Sequence, residues 1–341
     1  MPHDPSNGIL EEFRIEFLEY WKRLPNKAFF FVLLGAWLAL FQFFGNSARG
    51  YIDTPSLMGW MWSVYTTHGP DGFSEDSVGI LAALVVLGLL WWKRKALLAA
   101  NPRLWWPGLL LVGLGLLIHI VGFVVEQSRI SIIGLFTGIY GLMGLAWGLG
   151  WLRSSFFPFS LSAFCVPLSS IMQPVTFPLR LLVSRLVEFI SNSPVLGIGV
   201  IRNGTELLGK DPSAPTPLYR YEVAAACSGI HSLTACVFFA LIYGLVCFRA
   251  WWRVVLIIAS VVPLAVAGNV LRMMSIIIAA ALGGQEAGEY VHKGGPLGLI
   301  SLLPYVPVFA GVLLFGHWLR ESPLEPEPEP APAPPLETQP T

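Results

Sequence analysis

Long apolar stretches separated by short polar ones run from Ala28 to Trp318. A bilayer crossing needs about 20 mostly apolar residues. That rule predicts eight spans: Ala28–Gly45, Ser77–Trp92, Leu104–Val125, Ile130–Leu149, Ser155–Ile171, Ala224–Phe248, Trp252–Leu282 and Leu297–Trp318. Pro158 and Pro167 interrupt the fifth, and the seventh is long enough to tilt or to project beyond the bilayer. Between the fifth and sixth spans the pattern changes. Phe177–Ile190 has helical spacing of Leu and Val with Arg180 and Arg185 on another side, which predicts a helix on the membrane surface. From Gly197 to Val223, alternation with Gly and Pro punctuation predicts a β-hairpin leading into the sixth span. The expected fold class is therefore an all-α polytopic membrane protein of about eight transmembrane helices, with a short extracytoplasmic β-hairpin before the sixth.

Composition agrees. Of 341 residues, 55% are hydrophobic and 12% charged, against about 25% charged in soluble domains. The net charge is zero, so nothing suggests nucleic acid as a partner; membrane lipids are the expected surroundings. Cys165, Cys227, Cys236 and Cys247 lie in or beside apolar segments without CxxC spacing, which argues against a disulfide framework. Residues 1–27 carry acidic as well as basic residues, unlike a cleaved signal peptide, and read as a cytoplasmic segment. Residues 28–318 form the membrane domain, and 319–341 a disordered Pro/Glu-rich cytoplasmic tail.

Lysine and arginine set the orientation. Lys93, Arg94, Lys95, Arg103, Arg153, Arg249, Arg253 and Arg320 fall in alternate loops, which would be cytoplasmic. The opposite loops hold Asp53, His68, Asp71, Glu75 and Asp76, then Glu126 with Arg129, then Glu286, Glu289 and His292. Both termini would face the cytoplasm of an inner-membrane protein, with the segment from Met172 to Val223 outside.

This topology gathers candidate chemistry at the outer face. Cys227 opens the sixth span, where a helix N-terminus favours a thiolate. Arg272 lies about 30 Å up the seventh span at 1.5 Å per residue, and His292 stands in the loop before the eighth. An ionisable residue interrupting an apolar run suggests function; the plain alternative is a snorkelling interface arginine. Asn269, one turn earlier, adds a second polar group to that face. A cysteine among alanines is usually a packing residue, but Ser228 and Gly229 beside Cys227 favour a reactive site. Ser228 is the alternative nucleophile, and the weaker one without a closely held base. His231, one turn deeper than Cys227, and His292 compete as its base; Gly294 and Gly295 would let the His292 loop fold over the site. His68 reads as a support or substrate contact, and Glu222 as a supporting group on the strand entering the cysteine segment. Cys227, His231 and His292 also make a possible zinc set, but an arginine at that site would repel the ion. No metal and no cofactor are expected.

Ala226-Cys227-Ser228-Gly229-Ile230, Asn269-Val270-Leu271-Arg272 and His292 before the last span together resemble the exosortase/archaeosortase family. Thr67-His68-Gly69 is similar to that family's early Ser/Thr-His-Gly signature, although Pro70-Asp71-Gly72-Phe73 continues it less apolarly, and His231 does not match the family's core. The resemblance covers about residues 28–318. It implies a membrane cysteine transpeptidase that removes C-terminal sorting signals (a motif such as Pro-Glu-Pro, a transmembrane helix and a basic cluster) from exported proteins. The new C-terminus would pass to a surface lipid or polysaccharide acceptor. By position, Cys227 would be nucleophile, Arg272 the oxyanion or thiolate stabiliser, and His292 the acid/base. The rivals are a transporter, whose polar residues would line a path through the midplane, and a scaffold subunit of an export system.

Overall fold

The computed structural model describes residues 5–45, 54–67, 76–210, 216–223, 230–248, 250–295, 300 and 302–320. Helices α1 (Pro5–Arg23) and α2 (Lys27–Phe43) meet at 94°. Asn26 makes that corner in the left-handed region, with φ 52°, and its amide donates to the Ala146 carbonyl at 3.0 Å. Phe13, Phe17 and Tyr20 of α1 pack on Trp91 at the end of α4 (Val78–Trp92), so the N-terminal segment is docked on the helix bundle. The short helices α3 (Leu57–Thr66) and α5 (Arg94–Ala99) complete this end.

The tightest helix pair is α6 (Gly108–Val124) with α7 (Ser128–Ser160). Gly108, Gly115 and Gly122 recur at heptad spacing on α6; the first two face Gly134, Gly138 and Gly141 of α7 and the third faces Ser131. A Cβ on Gly115 would lie 2.7 Å from the backbone nitrogen of Gly138, and one on Gly134 would lie 2.6 Å from the Gly115 carbonyl oxygen. Lipid tails are as apolar as leucine, so close backbone packing by small residues is what associates helices in a membrane. The sequence reading missed this seam.

The predicted fourth and fifth spans meet at a helix break at Gly148, where φ is 93° and ψ 175°. Pro158 sits inside the second arm without ending it, and a 3-10 turn, Leu161–Cys165, follows. The two arms fold against each other: a Cβ on Gly144 would meet a Leu152 methyl at 2.7 Å, and the Tyr140 hydroxyl donates to the Leu152 carbonyl at 2.6 Å. Among the described residues, two helical stretches, Ser128–Cys165 and Trp251–His292, are long and apolar enough to cross a membrane; the bent α1/α2 pair makes a third if it is one span, and shorter apolar helices accompany them. The chain is a helical membrane protein.

Helix α8 (Ser169–Ser191) occupies the predicted surface-helix region, and where a hairpin is expected the chain forms a three-stranded antiparallel sheet, β1 (Val200–Asn203), β2 (Glu206–Gly209) and β3 (Arg220–Glu222). Gly204, with φ +63°, turns the first pair, and Leu207 pairs with Tyr221 in the second. One sheet face, Val200, Leu207 and Tyr221, is buried against Val183 and Val187 of α8 and Met273, Ile276, Ile277 and Ala280 of α10 (Trp251–His292). Period-two alternation places these side chains on one face. Asn192 fixes the sheet edge by bonding the Val200 amide and carbonyl, both at 2.8 Å. Below the sheet, α9 (Ile230–Cys247), α10 and α11 (Tyr305–Trp318) share a core of Cys236, Ala240, Ile257, Val261, Val308 and Val312.

Candidate active site

Arg272 is carried on the long arm of α10 just beneath the sheet. The arm is pinned one turn before it: a Cβ on Gly268 would stand 2.2 Å from the Pro304 carbonyl oxygen at the start of α11. Only glycine allows that approach. Asn269 is 3% exposed there, on the same face of the arm as Arg272. Met273, Ile276 and Ile277 beyond it are buried, so the helix cannot rotate to carry the guanidinium away without exposing its core face.

The decisive feature is a break at Gly284, where φ is 75° and ψ −172°. An L side chain is strongly disfavoured in that region. A straight helix would separate Arg272 from His292 by about 30 Å. Instead the chain turns back, and a Cβ on Gly288 would lie 2.8 Å from the Ala280 Cβ of the first arm. The reversal ends with Arg272 Nη2 donating to the His292 carbonyl at 3.4 Å, a long bond by ordinary criteria. His292 thus closes a helical arm; it does not stand in a loop as the sequence reading had it, because Gln-Glu-Ala restarts the helix after the glycine. Gly294 (φ 101°) and Gly295 (φ 62°) then end it, their amides donating to Val291 and Tyr290 carbonyls at 3.0 and 2.9 Å. Left-handed glycines are a common way to satisfy the last carbonyls of a helix.

Strand β3 holds this arm. The Tyr221 hydroxyl donates to the Gln285 carbonyl at 2.7 Å, and the Arg220 amide donates to Gln285 Oε1 at 3.0 Å. The Tyr221 and His292 rings lie 6.4 Å apart and 26° from parallel. Burial, reinforced by the Glu289 carboxylate, pushes the Tyr221 hydroxyl above its usual pKa.

Arg272 Nε is buried with no hydrogen-bond partner among the described residues. A buried donor left unpaired costs about 1–3 kcal/mol, so a negatively charged group arriving beside it would be stabilised. Of the sequence candidates, the structure brings Arg272, Asn269 and His292 into one region. Glu222 is not among them: it lies on the exposed face of β3, its carboxylate accepting from Thr205 Oγ1 at 3.5 Å. Alternation along the strand points it away from Tyr221. Cys227, Ser228, Gly229 and His68 lie outside the described residues; His231 is in the first turn of α9, its side chain also outside them. The sequence reading overlooked Tyr221, Gly284 and Gly288; the Gly-Gly pair interrupting the long apolar run was the available signal.

A family model described as Transmembrane exosortase (Exosortase_EpsH) matches residues 72–309. The chain belongs to the transmembrane exosortase family. The region shared with exosortases holds every candidate position except His68, from the cysteine segment through both arms of α10. Comparison of this exosortase with curated proteins and with solved structures finds no match.

Proposed function

We propose that this exosortase is a cysteine transpeptidase of the extracytoplasmic membrane face, with both termini in the cytoplasm. Its substrates are exported proteins whose C-terminal signal combines a short motif, a membrane helix and a basic cluster. The observation that carries the reading is the return of His292 onto Arg272 across the Gly284 break, in a chain of this family.

The Cys227 thiolate adds to the scissile carbonyl, forming the C–S bond and a tetrahedral oxyanion, whose collapse then breaks the C–N bond. Arg272 stabilises the tetrahedral oxyanion, a contribution of about 3 kcal/mol for one well-placed donor. His292 gives its proton to the leaving amine and later takes one from the incoming nucleophile of a surface lipid or polysaccharide. That nucleophile displaces the thiol and restores the enzyme. Restricted water near the bilayer favours transfer over hydrolysis. Asn269 steadies the Arg272 face, and Ser228, Gly229, His231 and His68 support the pocket.

The test is coexpression of the enzyme with an exported protein bearing such a signal. Wild type shortens the substrate by its C-terminal helix, and Cys227→Ala leaves it full length while remaining in the membrane. Normal shortening by Cys227→Ala removes the nucleophile assignment.

A further inference from the structure

Nothing in the proposed chemistry requires Tyr221, yet Tyr221 is built into the site more tightly than solubility or sheet pairing explains. Its hydroxyl caps the Gln285 carbonyl at 2.7 Å, the first backbone acceptor beyond the Gly284 break. That carbonyl begins the arm that ends in His292, whose ring lies nearly parallel to the tyrosine ring. On the other side the returning arm is glycine where it passes: a Cβ on Gly288 would come within 2.2 Å of the Tyr221 oxygen. Tyr221 is therefore lodged in a notch that only glycine leaves open. It also sits on β3, the strand immediately preceding the segment that contains Cys227.

We infer that Tyr221 is a positioning residue: it locks the His292 arm of α10 to the strand that delivers the nucleophile segment. It holds the His292 arm against β3 without touching substrate. This rests on the proposed transpeptidase reading for its catalytic consequence, but the lock itself is a property of the fold.

The test uses the full-length protein in lipid nanodiscs with two independent readouts. The first is the rate at which diethyl pyrocarbonate modifies His292, followed by mass spectrometry. Tyr221→Ala is expected to raise that rate at least about fivefold because the arm is released, and to lower the unfolding temperature because a buried ring is removed. Tyr221→Phe keeps the ring, loses the anchor to Gln285 and should raise it about two- to threefold; it carries the test if the alanine variant does not fold. An unchanged rate in the folded variant overturns the lock.

The second readout is processing of a signal-bearing substrate. Tyr221→Phe should lower kcat about tenfold with KM within twofold. Adding Tyr221→Phe to His292→Gln should cost little more, since one residue acts through the other. Independent, multiplying losses in that double variant overturn the positioning role. If wild type processes no substrate while His292 labelling still responds to Tyr221, the positioning inference stands and the transpeptidase reading fails.

Discussion

Gly148 in α7 and Gly284 in α10 break their helices with nearly the same backbone, φ 93° and ψ 175° against φ 75° and ψ −172°. In each, residues one turn before and after the glycine are pressed together: Gly144 on Leu152, Ala280 on Gly288. What returns is different. The second arm of α7 brings back Trp151 and Leu152, which bury themselves in an aromatic core with Trp147, Phe30 and Trp37. The second arm of α10 brings back Gln285, Glu289 and His292, held by a tyrosine and leaving a buried guanidinium nitrogen without a partner among the described residues. The same turn serves packing in one half of the molecule and assembles reactive groups in the other. Trp151 Nε1 beside the α7 turn is also buried without a partner among the described residues, but it is a neutral indole donor, whereas the group beside the α10 turn is a cation, and an unsatisfied buried group calls for an explanation.

The contrast can be broken most severely at Arg272. Arg272→Ala should lower processing by about two to three orders of magnitude while unfolding temperature stays close to wild type; equal losses of both would make the arginine structural. Gly284→Ala comes next. No atom stands within 4 Å of the added Cβ, so its penalty is purely conformational, about 1–3 kcal/mol. It should fall on the returning arm, with activity dropping more than about tenfold. Gly148→Ala carries the same strain plus a contact of 3.0 Å with the Arg103 carbonyl. It should lower thermal stability but leave the turnover of folded molecules within about twofold, measured by calorimetry beside a processing assay. The smallest effect is expected at the sheet rim. Arg202 and Glu188 pair at 3.0 Å while both stay partly exposed, and removing such a pair costs at most about 1 kcal/mol; Arg202→Ala should leave processing unchanged.

Much of this was legible in the sequence because membrane insertion imposes long apolar runs, and ionisable residues inside them are conspicuous. Arg272 was found that way, with Asn269 one turn earlier, while the helix now seen as α8 was read from the helical spacing of Leu and Val over Phe177–Ile190. The alternation at Arg220–Glu222 was legible as a strand, but β2 was not, because Glu206–Gly209 is four residues long and follows β1 after a tight turn at Gly204. The fourth and fifth spans were separated at Leu149, one residue past the break at Gly148, but apolar run lengths do not show that a positive φ there reverses the chain. The same blindness put His292 in a loop. A residue's partner across a glycine break depends on two dihedral angles that composition and periodicity do not encode.

The claim on which the rest depends is that α10 doubles back at Gly284. Spin labels at Leu271→Cys and Lys293→Cys, in a chain whose other cysteines are serine, report it by pulsed electron resonance. Doubling back predicts a separation below about 20 Å, whereas a continuous helix would hold the labelled positions about 33 Å apart, and that longer distance would contradict the account.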